Sequence, residues 1–298
     1  RLDLAPTYRD MLLTVARAHL KPQLDHFKAC HPPVYLPFLC CEANGVNPQR
    51  AVGVASAWFL LQVAAHLLDK VEDHELEEIT SPLRGQGMCT NLSTGMIFVA
   101  EWILNHLEQD CIDAGAAWDI QRAFQETVLS VCSGQHLDLS MPSPDLPTCW
   151  KIAEAKSGSA FALACYVGTR VSTHQSDRLH HLETFGRHLG TIIQISDDVL
   201  DLEADTKRHE KNHLWSPLAN AYLLQIGLNT GEIAGKYLAN TSESSSIQRS
   251  LLLYLRLEAL KYAEMARSEL KTVQLAAGPR EQILRMLNHL SSLGANLN

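Results

Sequence analysis

Apolar residues recur along most of this chain with the spacing of one face of an α-helix. Positions three and four apart are apolar over long stretches, whereas the strict alternation of a half-buried strand is scarce. The pattern therefore predicts a chain built from helices. The predicted helices cover residues 8–29, 47–73, 91–113, 117–138, 146–172, 177–203, 214–238, 246–272 and 278–294.

Breaks rich in proline and glycine separate these helices. The segments HPPVYLP at 31–37, TSPLRGQG at 80–87 and SMPSPDLP at 140–147 are typical of turns and loops. Asp145 stands just before an apolar run, where its side chain can cap the first helical turn. No solenoid-length repeat and no low-complexity linker occurs. We therefore predict an all-α protein, a large helical bundle in which residues 1–298 form a single domain.

The composition is that of a globular protein with no preference for nucleic acid. Apolar residues make up 46% of the 298 residues, which allows a sizeable core. The 33 acidic and 25 basic residues give a net charge of -8 without a basic block, which argues against a nucleic-acid partner. The eight cysteines form no CxxC pair. We expect them to be reduced thiols in a cytoplasmic protein rather than disulfides or zinc ligands.

One apolar run approaches the length of a membrane span. Residues 51–68 contain Gln62 and His66, an acidic cluster follows at once, and no second run of this kind occurs. A helix buried on all sides of a bundle accounts for it better. We therefore predict no transmembrane segment.

Each of two acidic clusters lies at the C-terminal end of a predicted apolar helix. HLLDKVED contains Asp69 and Asp73, which lie about one turn apart on one helix face. IIQISDDVLDLEAD repeats this spacing with Asp197 and Asp201 and adds Asp198. Carboxylates suit Mg²⁺, which commonly bridges a few of them to substrate phosphates. Because each cluster follows a buried helix, we expect both to project into one cavity that holds a diphosphate.

The two clusters resemble the aspartate-rich DDxxD motifs of the trans-isoprenyl diphosphate synthases, the class I isoprenoid synthase fold. GQHLDL at 134–139 resembles the family's GQxxDL, AKSG at 155–158 its Lys-Thr helix, and FGRHLGTIIQISDDVLD at 185–201 its second-motif helix. The resemblance implies three Mg²⁺ ions and an allylic prenyl diphosphate that ionises to a carbocation, which then attacks isopentenyl diphosphate. It also implies a homodimer packed through helices.

The same resemblance implies roles for individual residues. The implied metal ligands are Asp69, Glu72, Asp73, Asp197, Asp198 and Asp201. The five aspartates, Lys156 and Gln194 are the implied catalytic residues. The implied substrate contacts are Arg84, Gln135, Lys156 and Lys211, and Asp138 completes the GQxxDL match. Positive charge near the diphosphate fits the chemistry, because the leaving group gains negative charge as its C–O bond breaks.

Several positions depart from the family pattern. Lys70 stands at the second aspartate of the first motif, and the paired arginines that follow that motif are reduced to Arg84. The loop after the second motif lacks the family's lysine and threonine. The basic positions of the family's GKRLRP loop are occupied by Pro33, Val34 and Leu36.

The eroded basic positions favour ionisation of an allylic diphosphate of C15 to C20 without isopentenyl diphosphate, which is terpene synthase chemistry. Ala64 and Ala65 are small and leave room for a long chain, and Trp58 is a candidate pocket floor or cation-stabilising ring. Two alternatives remain open. One is a chain-elongating prenyltransferase with basic contacts elsewhere, and the other is a non-catalytic partner subunit, for which Lys70 is the best support.

Overall fold

Helices dominate the computed structural model, which describes residues 3–26, 31–74, 85–110, 112–141, 143–208, 216–228 and 242–293, and these ranges contain no strand. The α-helices are α1 (Pro6–His26), α2 (Leu36–Ala43), α3 (Val52–Glu72), α4 (Gln86–Leu104), α5 (Ala114–Ser140), α6 (Leu146–Ala153), α7 (Ser159–Arg170), α8 (Ser176–Arg208), α9 (Pro217–Gln225), α10 (Ser242–Thr272) and α11 (Ala277–Leu293). Within the described ranges, 3₁₀ turns span Pro33–Tyr35, Pro48–Ala51 and Leu107–Asp110, and Glu154–Gly158 forms a π-helical turn. The predicted all-α class is confirmed.

One departure from the predicted helices lies between residues 146 and 172. The sequence pattern predicts one helix there, whereas the structure has α6, the π-helical turn and α7 in succession. A π-turn adds a residue to one helical turn, and apolar periodicity alone does not reveal it. Helix α2 was also missed, because it is short and begins among prolines. Pro37 lies in its first turn, where the missing N–H has no intrahelical partner to lose.

The described chain divides into two compact units. The first comprises Arg1–Glu126, Leu163–Glu183 and Val273–Met286, and the second comprises Thr127–Ala162, Thr184–Thr272 and Leu287–Asn298. The single-domain organisation stays a prediction.

In the first unit, α1 packs against α3 and α4 through a hydrophobic cluster. Its buried members are Leu12, Val15, Val63, Ala64, Leu67, Leu92 and Met96. Helix α1 approaches α4 so closely that a β-carbon at Gly95 would overlap the ring of Tyr8. Tyr8 also donates a hydrogen bond to the carbonyl of Asn91 at 3.2 Å.

The helical stretch Pro48–Glu72 is the one that, within the described ranges, is long and apolar enough to cross a membrane. The protein itself buries 56% of its most apolar window, as expected for the core helix of a globular protein. A single stretch of this kind is weak evidence for a membrane span.

In the second unit, α10 packs along the half of α8 that carries the second acidic cluster. Gln248, itself buried, donates a hydrogen bond to the carbonyl of Leu202 at 3.1 Å. Arg256 pairs with Glu203 at 2.9 Å. These contacts fix the turn of α8 that follows Asp198.

Candidate active site

A cavity in the second unit brings together residues from segments far apart in sequence. It is lined by Asp138, Cys149, Ile152, Ala153, Lys156, Gln194, Asp198, Ser216, Pro217 and Leu218. Asp138, Lys156, Gln194 and Asp198 are all positions that the family resemblance singles out. The cavity therefore contains an ammonium, an amide and two carboxylates.

Lys156 lies in the π-helical turn and points toward α5. Its Nζ lies 2.8 Å from a carboxylate oxygen of Asp138, and the two side chains are only 21% and 24% exposed. Helix α5 can come this close because of Gly134, where a β-carbon would lie 2.9 Å from the Ala155 Cβ and 3.0 Å from the Lys156 Cγ. The π-turn and Gly134 together hold Lys156 against its counterion. Single π-turns are frequent at functional sites.

Gln194 is held by the residue that follows Lys156. The Ser157 hydroxyl donates a hydrogen bond to the Gln194 Oε1 at 2.9 Å. The Gln194 Nε2 then remains as the amide donor at the cavity. A β-carbon at Gly190 would lie 2.7 Å from the Ser157 carbonyl carbon and 2.9 Å from the Gly158 Cα, so only glycine lets α8 approach the π-turn. Sequence reasoning missed Ser157, although its place beside Lys156 in AKSG was the available signal.

The second acidic cluster meets the cavity through Asp198. Asp198 is buried, at 7% exposure, and lines the cavity, whereas Asp197 is exposed. The side chain of Asp201 lies outside the part of the chain that the structure describes. Only Asp198 of this cluster is thus placed in the cavity.

Cys149 is a buried thiol in the same cavity wall. Burial, together with the nearby carboxylates of Asp138, Asp145 and Asp198, raises its pKa to about 11. The thiol therefore stays protonated at neutral pH, and it adds no negative charge to the cavity.

The first acidic cluster lies in the first unit, at the C-terminal end of α3. Asp69 and Lys70 are partly buried, whereas Glu72 and Asp73 are exposed. Asp73 is the C-cap, and its N–H donates to the Asp69 carbonyl at 2.9 Å. Carboxylates are unfavourable at this end of a helix, because the carbonyl groups there already carry partial negative charge. A cation such as the Lys70 ammonium relieves that repulsion.

The predicted pocket residues of α3 lie in or beside the core of the first unit. Trp58 is 2% exposed, and Ala64 is fully buried in the cluster with α1 and α4. Ala65 is partly buried. Their role in binding a prenyl chain stays a prediction.

Of the remaining predicted substrate contacts, the structure describes Gln135 but neither Arg84 nor Lys211. Both amide atoms of Gln135 are buried without a hydrogen-bond partner among the described residues. Arg84 and Lys211 lie outside the described residues. Their proposed contacts stay predictions.

The segment aligned with the family's basic loop is apolar in structure as well as in sequence. Pro33 is buried and Leu36 is fully buried, and Leu36 is already the first residue of α2. No lysine or arginine occurs from residue 31 to residue 49. This segment therefore supplies no permanently charged cation to a diphosphate.

The donor set suits a hard cation. Asp138 and Asp198 supply carboxylate oxygens to the cavity, and Mg²⁺ typically binds through one or two protein carboxylates together with substrate phosphates and water. Within the described ranges, no group of three or more histidine, cysteine or acidic side chains forms a ready-made metal cage. The fit is that of an ion bound together with its phosphate ligand.

A comparison with protein-family models finds a match over much of the chain. The model described as polyprenyl synthetase matches residues 35–214, more than half of the chain. This range includes every implied catalytic residue.

Individual proteins are similar over comparable ranges. A (2E,6E)-farnesyl diphosphate synthase of Mycobacterium tuberculosis is 29% identical over 182 residues, which are 59% of this chain and 49% of that protein. The chain therefore spans about half the length of the curated relatives it matches.

The fold is shared with solved structures at low identity. The geranylgeranyl pyrophosphate synthetase of Geoglobus acetivorans has a TM-score of 0.75 at 17% identity, with 94% of this chain and 91% of that chain covered. A polyprenyl synthetase of Streptomyces coelicolor A3(2) has a TM-score of 0.74 at 19% identity, with 97% and 93% covered. These likenesses show the fold alone.

Proposed function

Because the chain belongs to the polyprenyl synthetase family, we propose that it is a Mg²⁺-dependent prenyltransferase that elongates an allylic prenyl diphosphate. The observation that carries the proposal is the cavity itself. Lys156, Gln194 and Asp198 reach it from the π-turn and α8, and they are the residue types that bind and activate a diphosphate. The similarity to a farnesyl diphosphate synthase supports the same chemistry.

The chain's own residues divide the work of binding and ionisation. Lys156 and the Gln194 amide donate to the diphosphate oxygens, which gain negative charge as the allylic C–O bond breaks. Asp138 holds the Lys156 ammonium in place as its counterion in a partly buried wall. Asp198 and Asp138 would hold Mg²⁺, which when bound neutralises the leaving diphosphate as a Lewis acid.

A second candidate function is ionisation of the allylic diphosphate without isopentenyl diphosphate, as in a terpene synthase. The observation that favours it is the apolar segment around Pro33 and Leu36, which stands where the family has basic residues. An isopentenyl diphosphate bound without basic partners would keep its charge uncompensated. The carbocation would then be quenched by water or lose a proton.

We also propose that the protein forms a homodimer. Phe98 and Trp118 expose 69% and 67% of their surface on α4 and α5 of the first unit, and these exposed rings are consistent with a homodimer packed through helices. Analytical ultracentrifugation measures the mass in solution directly.

The test incubates purified protein and Mg²⁺ with C10, C15 and C20 allylic diphosphates, with and without isopentenyl diphosphate, and identifies products by mass. Longer diphosphates formed only with isopentenyl diphosphate support elongation. Hydrocarbons or alcohols formed without it support the second candidate. No product under either condition contradicts both and favours a non-catalytic partner subunit.

A matched pair of variants tests the site assignment. Asp198→Asn removes one charge from the cavity wall and should lower kcat/KM by at least about 100-fold, because the metal that neutralises the diphosphate would lose a carboxylate ligand. Asp177→Asn changes the first turn of the same helix, which is exposed, and should leave kcat/KM unchanged. Equal activity of the two variants would remove Asp198 from the mechanism.

A further inference from the structure

Two buried thiols of the first unit meet where α2 crosses α7. The Cys165 thiol hydrogen-bonds to Cys40, and both residues are fully buried. Neither residue lines the cavity described above. This contact joins two helices that are far apart in sequence.

The helix crossing keeps the two thiols together. One turn from each cysteine, a β-carbon at Gly168 would lie 2.6 Å from the Pro37 Cα, so the two backbones nearly touch there. Each cysteine is three residues, about one helical turn, from this close contact. Disulfides form only where the Cα atoms already lie within about 7 Å and the side chains point at each other. The near contact of the two backbones one turn away and the interaction between the two thiols favour both requirements.

We propose that Cys40 and Cys165 form a disulfide when the protein is exposed to a hydroperoxide, and that this bond links α2 covalently to α7. One thiol is first oxidised to a sulfenic acid while the hydroperoxide is reduced to an alcohol, or to water in the case of hydrogen peroxide. The second thiol then attacks the sulfenic sulfur, forms the S–S bond and releases water. The balance is two thiols and one hydroperoxide giving one disulfide, one alcohol and one water.

Burial sets the rate of this reaction and its outcome. The oxidant reaches the pair only when α2 opens locally, so the pair reacts more slowly than the exposed thiol of Cys132. Once one sulfur is oxidised, its partner is already in contact, so the disulfide forms before higher oxides do. The linked helices enclose a long loop, whose closure restricts the unfolded chain and raises the Tm.

The test exposes folded protein to hydrogen peroxide, blocks remaining thiols by alkylation and maps peptides under non-reducing conditions. We expect a linked Cys40–Cys165 peptide pair that is lighter than its parts by two hydrogen atoms. We also expect the Tm to rise by roughly 5 °C and to return after reduction. These readouts do not depend on enzymatic activity, so they stand apart from the proposed function.

Cys41 provides the matched control, because it is the adjacent and equally buried thiol of α2. Cys41→Ala should keep the link, whereas Cys40→Ala should abolish it. Fragmentation of the wild-type linked peptide assigns the sulfur directly, even if a variant fails to fold. The proposal is overturned if Cys132 is fully oxidised while Cys40 and Cys165 stay reduced, including in sub-denaturing urea that speeds local opening. It is also overturned if the link runs through Cys41, or if it forms only in fully unfolded protein.

Discussion

Gly190→Ala is the change that best tests how the fold builds the candidate site. An added β-carbon would lie 2.7 Å from the Ser157 carbonyl carbon and 2.9 Å from the Gly158 Cα. Carbon atoms in contact normally lie about 3.5–4.0 Å apart, so α8 and the π-turn would have to separate by about 1 Å. The obstacle is backbone, which cannot rotate away as a side chain can.

Three effects add up to the expected change in unfolding free energy. Replacing a helical glycine by alanine stabilises by about 1 kcal/mol. Overpacking of a tight interior contact costs about 2 kcal/mol. A separation of about 1 Å also breaks the 2.9 Å hydrogen bond from Ser157 to Gln194, which costs about 1 kcal/mol more. We therefore expect Gly190→Ala to lower the free energy of unfolding by about 2 kcal/mol.

Urea denaturation followed by circular dichroism measures this change. Gly87→Ala is the control, because Gly87 lies in a helix with nothing within 4 Å of an added β-carbon. The control should be neutral or stabilising by up to about 1 kcal/mol. If Gly190→Ala were as stable as Gly87→Ala, the close contact between α8 and the π-turn would be wrong. The KM for the allylic diphosphate should also rise in Gly190→Ala, because the Gln194 amide loses its fixed orientation.

Two further predictions concern stability in the first unit. Burial, together with the neighbouring His66, lowers the pKa of His19 to about 4 from 6.5. Below about pH 6.5, His19 therefore binds a proton in the unfolded chain but not in the folded protein. The urea midpoint should decrease as the pH is lowered from 7.5 to 4.5. The loss should approach about 3 kcal/mol, and His19→Phe should flatten this dependence. Arg170, which is 6% exposed, pairs with Asp119 at 2.9 Å, so Arg170→Met should destabilise by about 3 kcal/mol. The exposed Arg122→Met should cost less than about 0.5 kcal/mol, and equal losses in the two arginine variants would contradict the buried pair.

The sequence determined the helical class and most helix positions. Apolar spacing over long stretches such as 177–203 predicts α8 well. A helix that buries one face has apolar residues about every 3.6 positions, and this spacing is present in the sequence. The candidate site residues were also visible in the sequence, since Lys156, Gln194 and Asp198 stand in motifs that resemble one family. Local patterns carry this information because they depend on residues only a few positions apart.

Tertiary structure alone decided which of these residues meet. The pairing of Lys156 with Asp138 and of Ser157 with Gln194 depends on close helix approaches at two glycines, Gly134 and Gly190. It also depends on a π-turn, which the apolar periodicity predicted to be ordinary α-helix. A sequence pattern reports which face of a helix is buried, but not which distant segment covers it. That choice is made by packing between segments, and here it decides the geometry of the cavity.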